Sequence, residues 1–222
     1  MNRAALLLLD LLYPNRCDCC GQRIRYDAAV CGECAGQLAD LRTPYAVWAQ
    51  QQTEAVPWAD GAAVWRYADA ARSGILAMKD GMRGFGRYAG KALAAEVRAH
   101  LPAETVTCVT WTPMGRARRR RQGYAHAELL GKTVARELHL PARGDLLSET
   151  DTGTRQHSLT REERIEHAKR FLYTGADVRG ETVLLCDDIL TTGSTLRRCT
   201  ELLLDAGAER VYIAVIAAAL PH

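Results

Sequence analysis

The spacing of hydrophobic and polar positions changes period repeatedly along the chain. From Gly61 onward, short β-type apolar runs alternate with stretches of helical spacing. The pattern predicts a strand over Ala62–Tyr67 and a helix over Ala70–Lys79. The next helix, Tyr88–Leu101, carries Ala89, Leu93, Val97 and Leu101 four apart on one face. A strand at Thr105–Trp111 and a helix at Tyr124–Leu138 follow. Beyond a polar, aperiodic stretch at Thr150–Thr160, the pattern predicts a helix over Arg161–Arg170, a strand over Thr182–Cys186, a helix over Ser194–Ala206 and a strand over Val211–Ala217. Strands alternating with helices predict an α/β fold with a parallel sheet flanked by helices. The organisation expected is an N-terminal helix and small module over 1–40, a connector over 41–60 and the main domain over 61–222. The connector, with Pro44, Pro57, a glutamine run and two tryptophans, has no clean period.

Two apolar runs bear on location. Ala4–Leu9 is interrupted by Asp10 and is followed by no small-residue cleavage site, so it reads as a short helix and not as a signal peptide. It is too short to span a bilayer, as is Val211–Leu220. The expectation is a cytoplasmic protein without a membrane span. Hydrophobic content of 48% and charged content of 25% argue for a folded chain. A net charge of +3 does not by itself demand a nucleic-acid partner. Of 29 cationic residues only four are lysine, which favours forked contacts to phosphate and carboxylate or simply reflects arginine-rich codon usage.

Eight cysteines in a reducing compartment point to metal before disulfides. Four of them form two CxxC pairs, Cys17–Cys20 and Cys31–Cys34, with ten residues between the pairs. Zinc prefers four thiolates in a tetrahedron, and each CxxC turn offers two sulfurs from one side. Gly21 supplies the backbone freedom that such a knuckle needs. Cys17, Cys20, Cys31 and Cys34 are therefore the expected ligands of a structural Zn2+. Cys19 is a spare that could stand in for a neighbour. A closed four-thiolate site leaves no open position, so it is scaffolding or a docking surface.

The segment Val183–Thr195 holds the chemistry. An apolar strand ends in Asp187 and Asp188, and the turn Thr191, Thr192, Gly193, Ser194, Thr195 then opens a helix. A helix N-terminus presents unpaired N–H groups to a phosphate, and α/β proteins place ligands at the carboxyl ends of parallel strands. Carboxylates beside a phosphate cradle would repel the anion unless they face something else, and a ribose diol satisfies them. The triplet Gly131-Lys132-Thr133 is not a Walker site, because His126 stands where the first glycine belongs. Gly81, Gly84 and Gly86 lack a preceding strand and read as a loop.

Two or three apolar residues, two acidic, two apolar, then Thr-Thr-Gly-small-Thr resemble the signature for 5-phosphoribosyl 1-pyrophosphate (PRPP) of type I phosphoribosyltransferases. The resemblance implies a type I phosphoribosyltransferase-like sheet, Mg2+ accompanying PRPP, and Asp187 and Asp188 as the catalytic-site carboxylates on the ribose hydroxyls. Thr191 to Thr195 would then hold the 5-phosphate. The whole chain further resembles the ComF family, linked to natural competence and the cytoplasmic handling of incoming DNA. That similarity runs through the four-cysteine module, Arg66-Tyr67 to Met78-Lys79, Pro113 with its arginines, Gly123-Tyr124 to Leu130, and Gln156, Leu159 and Arg164. The chain departs from the family at Thr110–Pro113, at Gln122–His126 and at His167, all on the acceptor side. Hypoxanthine-guanine enzymes carry an aspartate base where this chain has Thr191, which disfavours a 6-oxopurine acceptor.

Arg116, Arg118, Arg119, Arg120 and Arg121 follow the strand that ends near Pro113. In a phosphoribosyltransferase arrangement that loop faces pyrophosphate, and Arg116 and Arg118 are the candidates to hold it. A solvated basic face and a patch for single-stranded DNA are the rivals. Two functions stay open: a phosphoribosyltransferase in nucleotide metabolism or DNA uptake, and a non-catalytic PRPP- or nucleotide-binding protein that handles single-stranded DNA or competence partners.

Overall fold

The computed structural model describes residues 15–150 and 170–220. The helix expected over Ala4–Leu9, most of the polar stretch and the helix before Arg170, with Gln156, Leu159, Arg164 and His167, lie outside the described residues. Two short antiparallel strands, β1 (Asn15–Arg16) and β2 (Arg23–Ile24), precede helices α1 (Gly32–Asp40) and α2 (Tyr45–Ala49). The main body continues with β3 (Asp60–Arg66), α3 (Asp69–Lys79), α4 (Arg83–His100), β4 (Cys108–Trp111), α5 (Arg116–Gln122) and α6 (His126–Leu138). A short antiparallel pair, β5 (Leu147–Glu149) and β6 (Phe171–Tyr173), leads to β7 (Thr182–Leu190), α7 (Ser194–Asp205) and β8 (Arg210–Ala218).

The central sheet is wholly parallel in the order β3-β8-β7-β4. Helices cover both faces, so the inner strands read as continuous apolar runs instead of alternating ones. Alternate residues still separate the two faces. Leu184, Cys186, Ala214 and Ile216 pack with Leu93 and Val97 of α4 and Leu130 and Val134 of α6. Val183, Leu185, Ile213 and Val215 pack on the opposite side with Leu196, Cys199 and Leu203 of α7. No helix among the described residues is long and apolar enough to cross a membrane.

Three local expectations change. Gly84 and Gly86 lie inside α4, not in a loop. Their bare Cα positions face Asp18 on one side and Leu129 and Met78 on the other, and this packing outweighs the poor helix propensity of glycine. The arginine run is not an extended loop but helix α5, opened after Gly115 and closed by Gly123 in the left-handed conformation at φ +76°. Strand β7 does not stop at Cys186 but runs to Leu190, paired with β8 as far as Leu190–Ala218. Backbone pairing with a neighbouring strand is indifferent to the polarity of Asp187 and Asp188.

Residues 45–58 pack against the sheet. Tyr45, Trp48 and Trp58 are almost fully buried beside Ala63, Ile213 and Val215. Their aperiodic spacing hides this, because a single turn of helix and a loop place three aromatic rings in one cluster.

Candidate functional site

Strand β4 ends where Trp111 pairs with Cys186, so β7 extends past its neighbour on that side. Asp187 and Asp188 sit on this overhang, at the carboxyl end of the sheet. The chain leaving β4 stays close enough for the Thr112 N–H to reach the Cys186 carbonyl at 3.0 Å. The Thr112 hydroxyl donates to Asp187 Oδ1 at 2.8 Å, and the Asp188 N–H donates to the same oxygen at 2.9 Å. Lys79, the last residue of α3, places Nζ 2.8 Å from Asp188 Oδ2. Burial and the neighbouring Asp188 push the Asp187 carboxyl up to about 7, against the Thr112 hydroxyl and Lys79. Two adjacent carboxyls and one ammonium thus share the mouth of the strand.

The turn after β7 follows directly. Thr191, Thr192 and Ser194 are exposed, Thr195 is half-buried and Gly193 is buried in the left-handed region at φ +73°. The Thr192 and Ser194 hydroxyls lie 2.7 Å apart. The Gly193 carbonyl accepts the Arg197 N–H at 2.7 Å and so starts α7. A side chain at Gly193 would be crowded from below. Its Cβ would meet the Trp58 ring at 3.1 Å, so the positive φ and an aromatic floor are what require glycine. The Trp48 indole N–H donates to the Thr191 carbonyl at 3.0 Å.

The arginines divide. Arg118 lies 3.6 Å from Glu149, whose nearly buried carboxylate also pairs with Arg170 and accepts the Gly115 N–H at 2.6 Å. Arg119 pairs with Glu128 at 2.8 Å. Arg116, at the start of α5, is exposed, and its side chain makes no hydrogen bond or ion pair with the described residues. His126 opens α6, buried, with its Nδ1 lacking a partner among the described residues. Burial holds this imidazole below its usual pKa, with Lys79 and Arg118 acting the same way and Asp188 opposing. Trp48 is not legible as a candidate site residue, and the family resemblance, which takes in Lys79 and departs at Thr112, gives neither a role at this loop, because each reaches it only through tertiary contact.

At the other end of the chain, Sγ of Cys17, Cys20, Cys31 and Cys34 all lie within 4.8 Å of one another. Cys20 and Cys31 are 3.7 Å apart, near the roughly 3.8 Å edge of a tetrahedron with zinc–sulfur bonds of about 2.3 Å. Cys19 stands outside this group. The Cys31 N–H points at Cys17 Sγ at 3.3 Å and the Cys34 N–H at Cys31 Sγ at 3.4 Å. Gly21, at φ +75°, donates its N–H to the Cys17 carbonyl at 2.8 Å and closes the first knuckle. Burial raises the Cys17 thiol, but the surrounding N–H groups prevail and bring it down to about 7. Such a donor set suits a soft divalent ion.

Residues 126–220 match the phosphoribosyl transferase domain family, and residues 8–46 match the double zinc ribbon domain. DNA utilization protein YhgH of Escherichia coli (strain K12) is 25% identical over 201 residues, covering 89% of this chain and 87% of that protein. Competence protein F of Haemophilus influenzae is 30% identical over 105 residues, 46% of this chain and 45% of its own. Among solved structures, the allosteric regulatory enzyme of purine biosynthesis resembles 59% of this chain at a TM-score of 0.42 and 19% identity, over 25% of its own length.

Proposed function

We propose that this chain, which resembles DNA utilization protein YhgH and competence protein F and joins a double zinc ribbon match to a phosphoribosyl transferase domain match, binds PRPP and transfers its phosphoribosyl group in the service of DNA utilization or competence. The observation that carries this reading is the overhang of β7, where Asp187 and Asp188 stand one turn before the Gly193 bend that opens α7. The diol of a ribose would donate to the two carboxyls. The 5-phosphate would take N–H groups and hydroxyls of Thr191 to Thr195.

Arg116, whose side chain has no partner among the described residues, is a cation available to meet pyrophosphate, while Arg118 would have to leave or share Glu149. Lys79 joins them: once the ribose hydroxyls occupy Asp188, its ammonium is released toward the leaving group. In the transfer, a nitrogen nucleophile forms a bond to C1 as the C1–O bond breaks. Pyrophosphate departs with that electron pair and takes up the proton that the nucleophile sheds. Mg2+ would enter with PRPP and neutralise pyrophosphate charge; the cysteine group is a separate site. That group would hold one structural Zn2+.

The test is pyrophosphate release from PRPP and Mg2+ across a panel of bases and amines, run beside calorimetry of PRPP binding. Binding with turnover supports the transferase. Binding without turnover supports the second reading, a PRPP-responsive protein for single-stranded DNA or competence partners, which the exposed Arg116, Arg120 and Arg121 favour. Absence of binding overturns both.

A further inference from the structure

Residues 47–57 lie in neither family match and contain nothing that resembles a phosphate motif. Yet they are fastened to the candidate phosphate turn. The Trp48 indole N–H donates to the Thr191 carbonyl at 3.0 Å. Trp58 lies beneath Gly193, with Trp48 close behind it at 3.6 Å from the position of the missing Cβ. Trp58 is itself held by its indole N–H on the Tyr45 hydroxyl at 2.6 Å. Arg197, in the first turn of α7, donates to the Ala55 carbonyl at 2.8 Å. A segment with one helical turn therefore touches the strand end, the bend and the helix start of a single loop.

The Thr191 contact has a consequence through covalent geometry. A trans peptide is planar, so its C=O and N–H point in opposite directions. An acceptor held inward at Thr191 turns the N–H of Thr192, in the same peptide unit, away from the tryptophan floor. That N–H donates to nothing among the described residues and lies on the exposed side of the turn, so it is available to an anion. Gly193 supplies the bend, and the rings under it keep the turn from settling into the sheet. We propose that Trp48 is a positioning residue for the phosphate end of the site: its indole N–H sets the Thr191–Thr192 peptide so that the Thr192 N–H faces the 5-phosphate.

This inference rests on the phosphoribosyl reading of the loop, and the experiment separates the two. Wild type, Trp48→Phe and Trp58→Phe are titrated calorimetrically with ribose 5-phosphate, and their thermal midpoints are measured. Trp48→Phe keeps a ring but loses the donor to Thr191, whereas Trp58→Phe loses its bond to Tyr45 and trims the floor under Gly193 while leaving the Thr191 acceptor engaged. One misdirected hydrogen bond to an anion should weaken ribose 5-phosphate about threefold to tenfold in Trp48→Phe, with less than about twofold in Trp58→Phe at a comparable loss of midpoint. Equal affinity losses in the two variants, or none in Trp48→Phe, overturn the positioning role alone. A wild type that binds neither ribose 5-phosphate nor PRPP overturns the loop reading and this inference with it. Should Trp48→Phe not fold, the indole N–H resonance of Trp48 in wild type decides. It should shift on saturation with ribose 5-phosphate while that of Trp65 stays in place, and an unmoved Trp48 resonance sinks the proposal.

Discussion

Asp18, the residue inside the first cysteine knuckle, accepts the backbone N–H of Phe85 at 2.5 Å. Phe85 is the third residue of α4, so a carboxyl from the cysteine module caps a helix of the main body. Gly84 makes the approach possible, because a Cβ there would stand 2.7 Å from Asp18 Oδ2. The module also shares a core with the domain behind it. Cys17, Leu38 and Leu41 belong to the same apolar cluster as Trp65, Ile75 and Phe85.

Metal loss should therefore be felt beyond the module. Protein purified without added metal should carry one zinc per chain, and Cys31→Ser should lower that content. Stripping the metal should lower the thermal midpoint of the whole chain, because α4 loses its cap and part of its packing. Asp18→Ala, with zinc retained, should cost about 1–2 kcal/mol, a few degrees of midpoint for a chain of this size. An unchanged midpoint in Asp18→Ala would show that the cap contributes nothing.

The proposed ribose and phosphate ends of the site should fail differently. Asp188→Asn removes a charged acceptor and the partner of Lys79, and should weaken PRPP by at least about tenfold, roughly 1.4 kcal/mol. Gly193→Val forces a branched residue into positive φ and against the Trp58 ring. It should lower the thermal midpoint as well as the affinity. Calorimetry of both variants with PRPP and Mg2+, beside circular dichroism, checks this. Undiminished affinity in both, with the fold intact, would place the pocket elsewhere.

The two candidate pyrophosphate ligands should also separate. Arg116→Ala should weaken PRPP while sparing ribose 5-phosphate, since the side chain is unengaged among the described residues. Arg118→Ala frees one partner of Glu149, which keeps Arg170, so its effect on PRPP should be smaller. Equal losses for both ligands in Arg116→Ala would remove that residue from the pyrophosphate side. If α5 instead tracks single-stranded DNA, both changes should reduce the salt slope of that binding.

The raised carboxyl of Asp187 makes a signed pH prediction. Its folded value of about 7 lies above the ordinary carboxylate value near 4 that the unfolded chain has. Between those values the folded state holds the extra proton, so this contribution to stability is present in acid and is lost as pH rises through about 7. Asp187→Asn never ionises and should remove the dependence. Ligand-free wild type and Asp187→Asn should melt together near pH 4 and diverge by pH 8, with the variant the more stable. Parallel melting curves across that range would show that Asp187 is not the titrating group.

Much of this molecule is written locally in its sequence. Alternating runs from Gly61 to Ala217 foretell a parallel sheet, because strands buried on both faces must be continuously apolar and the helices between them amphipathic. The doubled CxxC and the Asp-Asp turn are contiguous, so their ligand types and spacing can be read without the fold. What the tertiary structure alone decides is which distant residues complete those units. Lys79 reaches Asp188 because α3 ends beside the overhang of β7. Thr112 reaches Asp187 because β4 stops opposite Cys186. Trp48 reaches Thr191 across 143 residues of chain, and Asp18 reaches Phe85 across 67. None of these pairs has a period or a spacing to reveal it. Each exists because a hydrogen-bonding group was left over at the end of one element and the packing of the sheet faces brought a partner to it.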